Sequence, residues 1–141
     1  MIFTYEGMKC EGNKLWMNST ITVKEDILKE PKMSIKIERC ENKENLDTCE
    51  HFYVYKTDKY CEVAEAKSAV WTPLYSSYVP EWKCPVKKGI YKATNAMIDV
   101  TAFLMVPFDS WFWRVNIKLN DKDTNRMITC VLVGAHITRQ P

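Results

Sequence analysis

Histidines, cysteines and carboxylates are where catalysis or metal binding would begin, and this chain arranges few of them in reactive company. His51 and His136 are its two imidazoles, far apart in sequence, and Glu50 beside His51 reads as a surface pair rather than an acid and base. No G-x-S-x-G elbow occurs to present a serine nucleophile. The six cysteines, Cys10, Cys40, Cys49, Cys61, Cys84 and Cys130, contain no C-x-x-C pair, so zinc-ligand spacing is missing and no metal is expected. Asp121-Lys122-Asp123-Thr124-Asn125 copies the opening of a calcium loop. Arg126, however, stands where the turn wants glycine and Leu132 where the bidentate glutamate belongs, so a polar hairpin turn is expected instead. Gly7, Gly12, Gly89 and Gly134 stand too far apart for a phosphate-cradling loop, and no cofactor is expected. The chain reads as a non-enzyme, with a lipid-cleaving activity using His51 or His136 as the alternative.

An even number of cysteines scattered over one small domain reads as three disulfides formed in an oxidising compartment, with about 15 pairings open from spacing alone. Six reduced cysteines in a cytosolic core are the alternative. Asn18-Ser19-Thr20 is a glycosylation acceptor and points to the same secreted, extracellular or lumenal setting. The opening Met1-Ile-Phe-Thr-Tyr-Glu lacks a basic-then-apolar leader, and no apolar run approaches the roughly 20 residues that span a bilayer. A soluble chain is expected.

Composition bounds the partners. The 141 residues suit one domain, spanning 1–141, and are 46% apolar and 27% charged. Twenty basic and 18 acidic residues give a net charge of +2, without a run of like charge or a basic stripe interleaved with aromatics, so nucleic acid is not an expected partner.

The elements that would carry any site are mostly strands. Leu15, Met17, Ile21 and Val23 alternate with Asn18, Thr20, Thr22 and Lys24, which predicts a half-buried strand with Asn18 facing out. Met33, Ile35 and Ile37 form a second, with Phe52 and Val54 as its hairpin partner. Ile98 to Leu104 and Trp111 to Leu119 alternate likewise, and the polar stretch 120–126 separates the latter from a last strand, Ile128 to Ile137. The C-terminal half therefore reads as a meander. Cys61, Ala64, Ser68 and Trp71 recur near helical spacing, predicting a short helix near 61–71 that Pro73 stops. After it, 72–82 reads as an ordered, irregular loop. The predicted fold is all-β: an antiparallel two-sheet sandwich, or a β-cup with an internal apolar cavity if the sheets splay.

The stretch AFLMVPFDSWFW over 102–113 is broken only by Asp109 and Ser110, and Phe103 to Phe108 lose alternation. Either Met105, Val106 and Phe108 plug one end of the sandwich, or they form the lip of a pocket.

One further pattern crosses these elements. Cys84-Pro85-Val86-Lys87-Lys88-Gly89-Ile90-Tyr91, then the apolar stretch, then Trp113-Arg114-Val115 and a late Cys130, resembles the ganglioside-activator-like branch of the MD-2-related lipid-recognition superfamily. That branch includes the secreted insect chemosensory B-type proteins. The match runs from Cys49 to Ile137 and includes Cys49-Glu50-His51-Phe52 and Tyr60-Cys61-Glu62-Val63. The resemblance implies bridges Cys10–Cys130, Cys61–Cys84 and Cys40–Cys49. Where the activators have a further cysteine two places before the signature cysteine, this chain has Trp82. The resemblance also implies that the loop Phe103, Leu104, Met105, Val106 and Phe108 lies at a cavity mouth and touches ligand or, transiently, a membrane. Trp71, Leu74, Tyr75 and Tyr78 would form the opposing rim, with Val100, Trp111 and Trp113 on the cavity wall. The expected function is secreted, non-enzymatic transport or presentation of a fatty acyl lipid, glycolipid, sterol or apolar semiochemical. The alternative is an extracellular interaction or co-receptor module that docks a protein through the apolar loop 103–111.

Overall fold

Alternating apolar and polar residues produce the central strands here because a strand can bury one face and wet the other. The computed structural model describes residues 1–11, 14–69, 71–99 and 111–136. Its elements are β1 (Ile2–Glu11), β2 (Lys14–Val23), β3 (Lys32–Cys40), β4 (Glu50–Thr57), α1 (Tyr60–Ala64), α2 (Thr72–Tyr75), β5 (Tyr78–Val79), β6 (Gly89–Asp99), β7 (Phe112–Asn120) and β8 (Met127–His136). They build two antiparallel four-stranded sheets, ordered β1-β2-β6-β5 and β4-β3-β7-β8.

The predicted two-sheet architecture and the β3–β4 hairpin are present, and the register explains them. In the first sheet Val23, Ile21 and Met17 share their inward face with Gly89, Tyr91 and Ala96 of β6. In the second, Met33, Ile35 and Ile37 stand opposite Leu119, Ile117 and Val115 of β7. One core cluster, including Ile21, Val23, Met33, Val86, Tyr91 and Leu119, joins the two layers.

Three expectations change. The C-terminal half is not a meander, because β6 pairs with β2 and β5 in one sheet while β7 and β8 form a hairpin in the other. Alternation reports that a strand has a buried face, not which sheet supplies its neighbours. The helix predicted near 61–71 is two short pieces: α1 ends at Ala64, and Pro73 opens α2 rather than stopping α1. Proline fits a first helical turn, whose N–H groups have no intrahelical partner.

The third change concerns the cysteines. Cys40–Cys49 and Cys61–Cys84 are bonded, whereas Cys10 and Cys130 are free and exposed. Strand geometry gives the reason. The Met1 ammonium reaches the Ile128 carbonyl at 3.5 Å, so β1 and β8 start side by side. Cys10 then lies nine residues, about 30 Å, along its strand, but Cys130 only two residues, about 7 Å, beyond Ile128. A disulfide tolerates Cα separations of only about 7 Å.

Candidate functional site

The interior is closed at one end and loosens toward the other. At the closed end, where Met1 meets Ile128, Val23, Met33 and Leu119 are 3%, 5% and 4% exposed. Two and four residues further along, Ile35 and Ile117, then Ile37 and Val115, are only half-buried although they face inward. On the flanking strands the fall is steeper: Tyr53, opposite Ile37, is 52% exposed, and Val133, opposite Val115, is 41% exposed. On β1, Phe3 is half-buried but Tyr5, opposite Ser19, is exposed. The central strands keep their cover at Met17, Ala96 and Trp113. Burial on the inner face is therefore wedge-like: every strand is covered at the Met33–Leu119 end, and further along cover is lost on the edge strands β1, β4 and β8.

Beside the opening stands an aromatic and guanidinium cluster. Arg39 follows Ile37 on the inward face of β3 and is paired in register with Trp113. Its guanidinium carbon lies 4.4 Å from the Trp111 ring centroid and 5.8 Å from that of Phe52, and its Nε donates to the Glu50 carboxylate at 2.5 Å. Phe52 meets Trp113 edge-on at 4.9 Å. A cation over aromatic faces contributes on the order of 1 kcal/mol and holds the rings in place. The inward parity of Arg39 after Met33, Ile35 and Ile37 was the sequence signal for this cluster.

The predicted rim residues separate into two groups. Trp71 is exposed and folds back to donate its indole N–H to the Val63 carbonyl at 2.7 Å. Leu74, Tyr75 and Tyr78 are not an exposed rim: Tyr78 is a buried member of the core cluster and Leu74 and Tyr75 pack against it. The core takes them because α2 lies against β6 and β5 is hydrogen-bonded to β6, opposite Ala93 and Lys92. Trp111 and Trp113 do come together, at the Arg39 cluster. Val100, Phe103, Leu104, Met105, Val106 and Phe108 lie outside the described residues.

Around Tyr78 the core is unusually polar at its atoms. The Tyr60 and Tyr75 hydroxyls are 3.1 Å apart, those of Ser19 and Tyr78 2.6 Å apart, and the Tyr91 hydroxyl donates to the Lys87 carbonyl at 2.6 Å. Burial pushes the Tyr60 hydroxyl pKa well above its ordinary value and raises those of Tyr75 and Tyr78. Trp82 packs edge-on against Tyr91 at 4.9 Å, and its buried indole N–H has no hydrogen-bond partner of good geometry among the described residues. Trp82 is a buried member of the core cluster.

Other candidate residues are dispersed. His51 and His136 lie on β4 and β8, the two edges of one sheet. Three inter-strand steps, about 14 Å, separate those edges. Asn18 sits half-buried on the outer side of β2, its Oδ1 accepting from the Asn95 backbone N–H at 2.8 Å. Residues 121–126 form the expected polar turn, with the Asp121 carboxylate accepting from the Asp123 and Thr124 N–H groups, which lowers its pKa. The fold defines the class of protein, an antiparallel β-sandwich clipped by two disulfides. Compared with models of known families and with curated proteins, the sequence matches none.

Proposed function

We propose that the protein is a secreted, non-enzymatic carrier or presenter of a hydrophobic ligand, on the plan of the lipid-recognition proteins its Cys84–Tyr91 segment resembles. The observation that carries this reading is the wedge: away from buried Met33 and Leu119, the inward Ile35, Ile37, Val115 and Ile117 are half-buried, and Tyr53 and Val133 on the two edge strands are exposed. An acyl chain gains on the order of 0.8 kcal/mol per buried CH₂, so a dozen methylenes supply roughly 10 kcal/mol before association costs, without polar anchors. The connection 103–108, between β6 and β7 in the chain, is apolar in sequence. The two disulfides are compatible with an oxidising compartment.

Displacement of a fluorescent fatty acid, together with mass spectrometry of organic extracts, tests the carrier. Saturable displacement that Val133→Asp abolishes is expected; no displacement and no extracted lipid would remove the idea.

A second reading, a protein-docking module, is favoured by β4, where Phe52, Tyr53, Val54 and Tyr55 are all exposed on an edge strand. There, Val54→Asp, on the outward face of β4 opposite Lys36, would abolish partner binding and spare lipid uptake.

A further inference from the structure

The outer face of the second sheet gathers lysines that the carrier reading does not use. Since Met33, Ile35 and Ile37 face inward, Lys32, Ser34 and Lys36 share the outer face of β3. Register then sets Lys56 of β4 on one side of Ser34 and Lys118 of β7 on the other. One serine is thus surrounded by four lysines. Lys56 and Lys118 stand two inter-strand steps, about 10 Å, apart, and Lys32 and Lys36 about 13 Å apart along the strand. Each of the first pair is diagonal to each of the second, at about 7–8 Å.

Counter-charge is scarce. Among the described residues the ion pairs are Lys9–Glu11, Lys29–Asp123, Arg39–Glu50 and Arg114–Glu38, none of which involves these four lysines. Glu38, on the same face, is engaged through both carboxylate oxygens with Arg114 at 3.2 Å. The surface is also concave. Lys32, Met33, Ser34, Lys56, Lys59 and Lys118 line a depression of about 740 Å³ at the β3-start end of this face, with Asp58 its one carboxylate among the described residues and Lys36 just beyond it. Asn120 borders it too, its amide N–H donating to the Asn125 carbonyl at 3.1 Å.

Like charges at such spacing repel, and a recess bounded by protein concentrates their field. A flat bilayer cannot enter a recess, whereas a compact molecule with several anionic groups can touch lysines on all three strands. We propose that this face binds a compact polyanion bearing two or more sulfate or phosphate esters. Lys56 and Lys118 grip it from either side, Lys32 and Lys59 engage it at the end of the recess with Lys36 adding its charge from the next position along β3, and the Ser34 hydroxyl donates to it from the floor. The site is independent of the cavity, so a protein that takes up no lipid still binds the anion.

Titration calorimetry at low ionic strength, with a heparin-derived tetrasaccharide and with inositol hexakisphosphate, tests this and separates a sulfated glycan from a phosphorylated source. Binding of either is expected, weakening as salt rises. The double variant Lys56→Gln/Lys118→Gln should weaken it by about tenfold or more. The control Lys14→Gln/Lys92→Gln, on the first sheet, should leave it unchanged. Amide chemical-shift changes in the unaltered protein should centre on Ser34 and Lys118, a readout that does not depend on any variant folding. Failure of both anions to bind, equal weakening in the control, or binding only to phosphatidylserine vesicles would overturn the site.

Discussion

The Ser19 and Tyr78 hydroxyls lie 2.6 Å apart in the buried interior, joining β2 to the two-residue strand β5. These strands are not neighbours, for β6 runs between them. The bond therefore spans the first sheet on its inner side. Truncating one partner leaves the other buried and unpaired, so Ser19→Ala or Tyr78→Phe should each destabilise by about 1–3 kcal/mol. The double variant should lose less than the two single losses together. Urea denaturation of the four proteins in a double-mutant cycle measures the coupling.

Alkaline pH should unfold the protein through its buried tyrosines. Tyr60, Tyr75 and Tyr78 hold their protons more tightly when folded than the ordinary value of 10.0, chiefly because of burial. The unfolded chain releases these protons first. Their contribution to stability is thus complete below about pH 10 and disappears as pH climbs toward the folded-state values. Denaturation midpoints followed from neutral to alkaline pH should fall in step with tyrosinate absorbance, and Tyr60→Phe should make the fall shallower.

Thiol chemistry should distinguish the six cysteines. With Cys10 and Cys130 free and exposed, a thiol reagent should titrate two groups in the native protein without reduction. Cys10→Ser and Cys130→Ser should shift stability by no more than about 0.5 kcal/mol. The Cys40–Cys49 and Cys61–Cys84 bridges close 9- and 23-residue separations, so replacing each pair by serine should cost about 2.5 and 3.5 kcal/mol in the chain-entropy account.

Core truncations should follow the wedge. Leu119→Ala and Met33→Ala remove buried side chains at the closed end and should cost about 2–5 kcal/mol. Val133→Ala, at the open end, should cost less than about 1 kcal/mol while weakening ligand uptake. Thermal unfolding with and without a fatty acid separates the two effects, because a ligand bound only to the folded state raises the midpoint.

Much of this molecule was legible in its residue order. Period-two alternation located β2, β3 and β7 and their inward faces, and the polar stretch 120–126 gave the β7–β8 reversal. Local chemistry suffices there, because one strand face must be dry and one wet whatever its neighbours are. β1 and β5 escaped notice for physical reasons. Most of β1 is exposed on both faces, so alternation had no core to report, and β5 is only two residues long. The sequence by itself thus determined the alternating strands β2, β3 and β7, the β7–β8 reversal and the paired-sheet class, while the Cys40–Cys49 and Cys61–Cys84 pairs were implied only by the family resemblance, together with the Cys10–Cys130 pair that does not form. Sheet membership, the parting of Cys10 from Cys130, the capture of Tyr75 and Tyr78 by the core, and the gathering of Lys32, Lys36, Lys56 and Lys118 were decided only in three dimensions. All of these depend on which strands become neighbours, and long-range pairing is a choice among global arrangements that no short window of residues encodes.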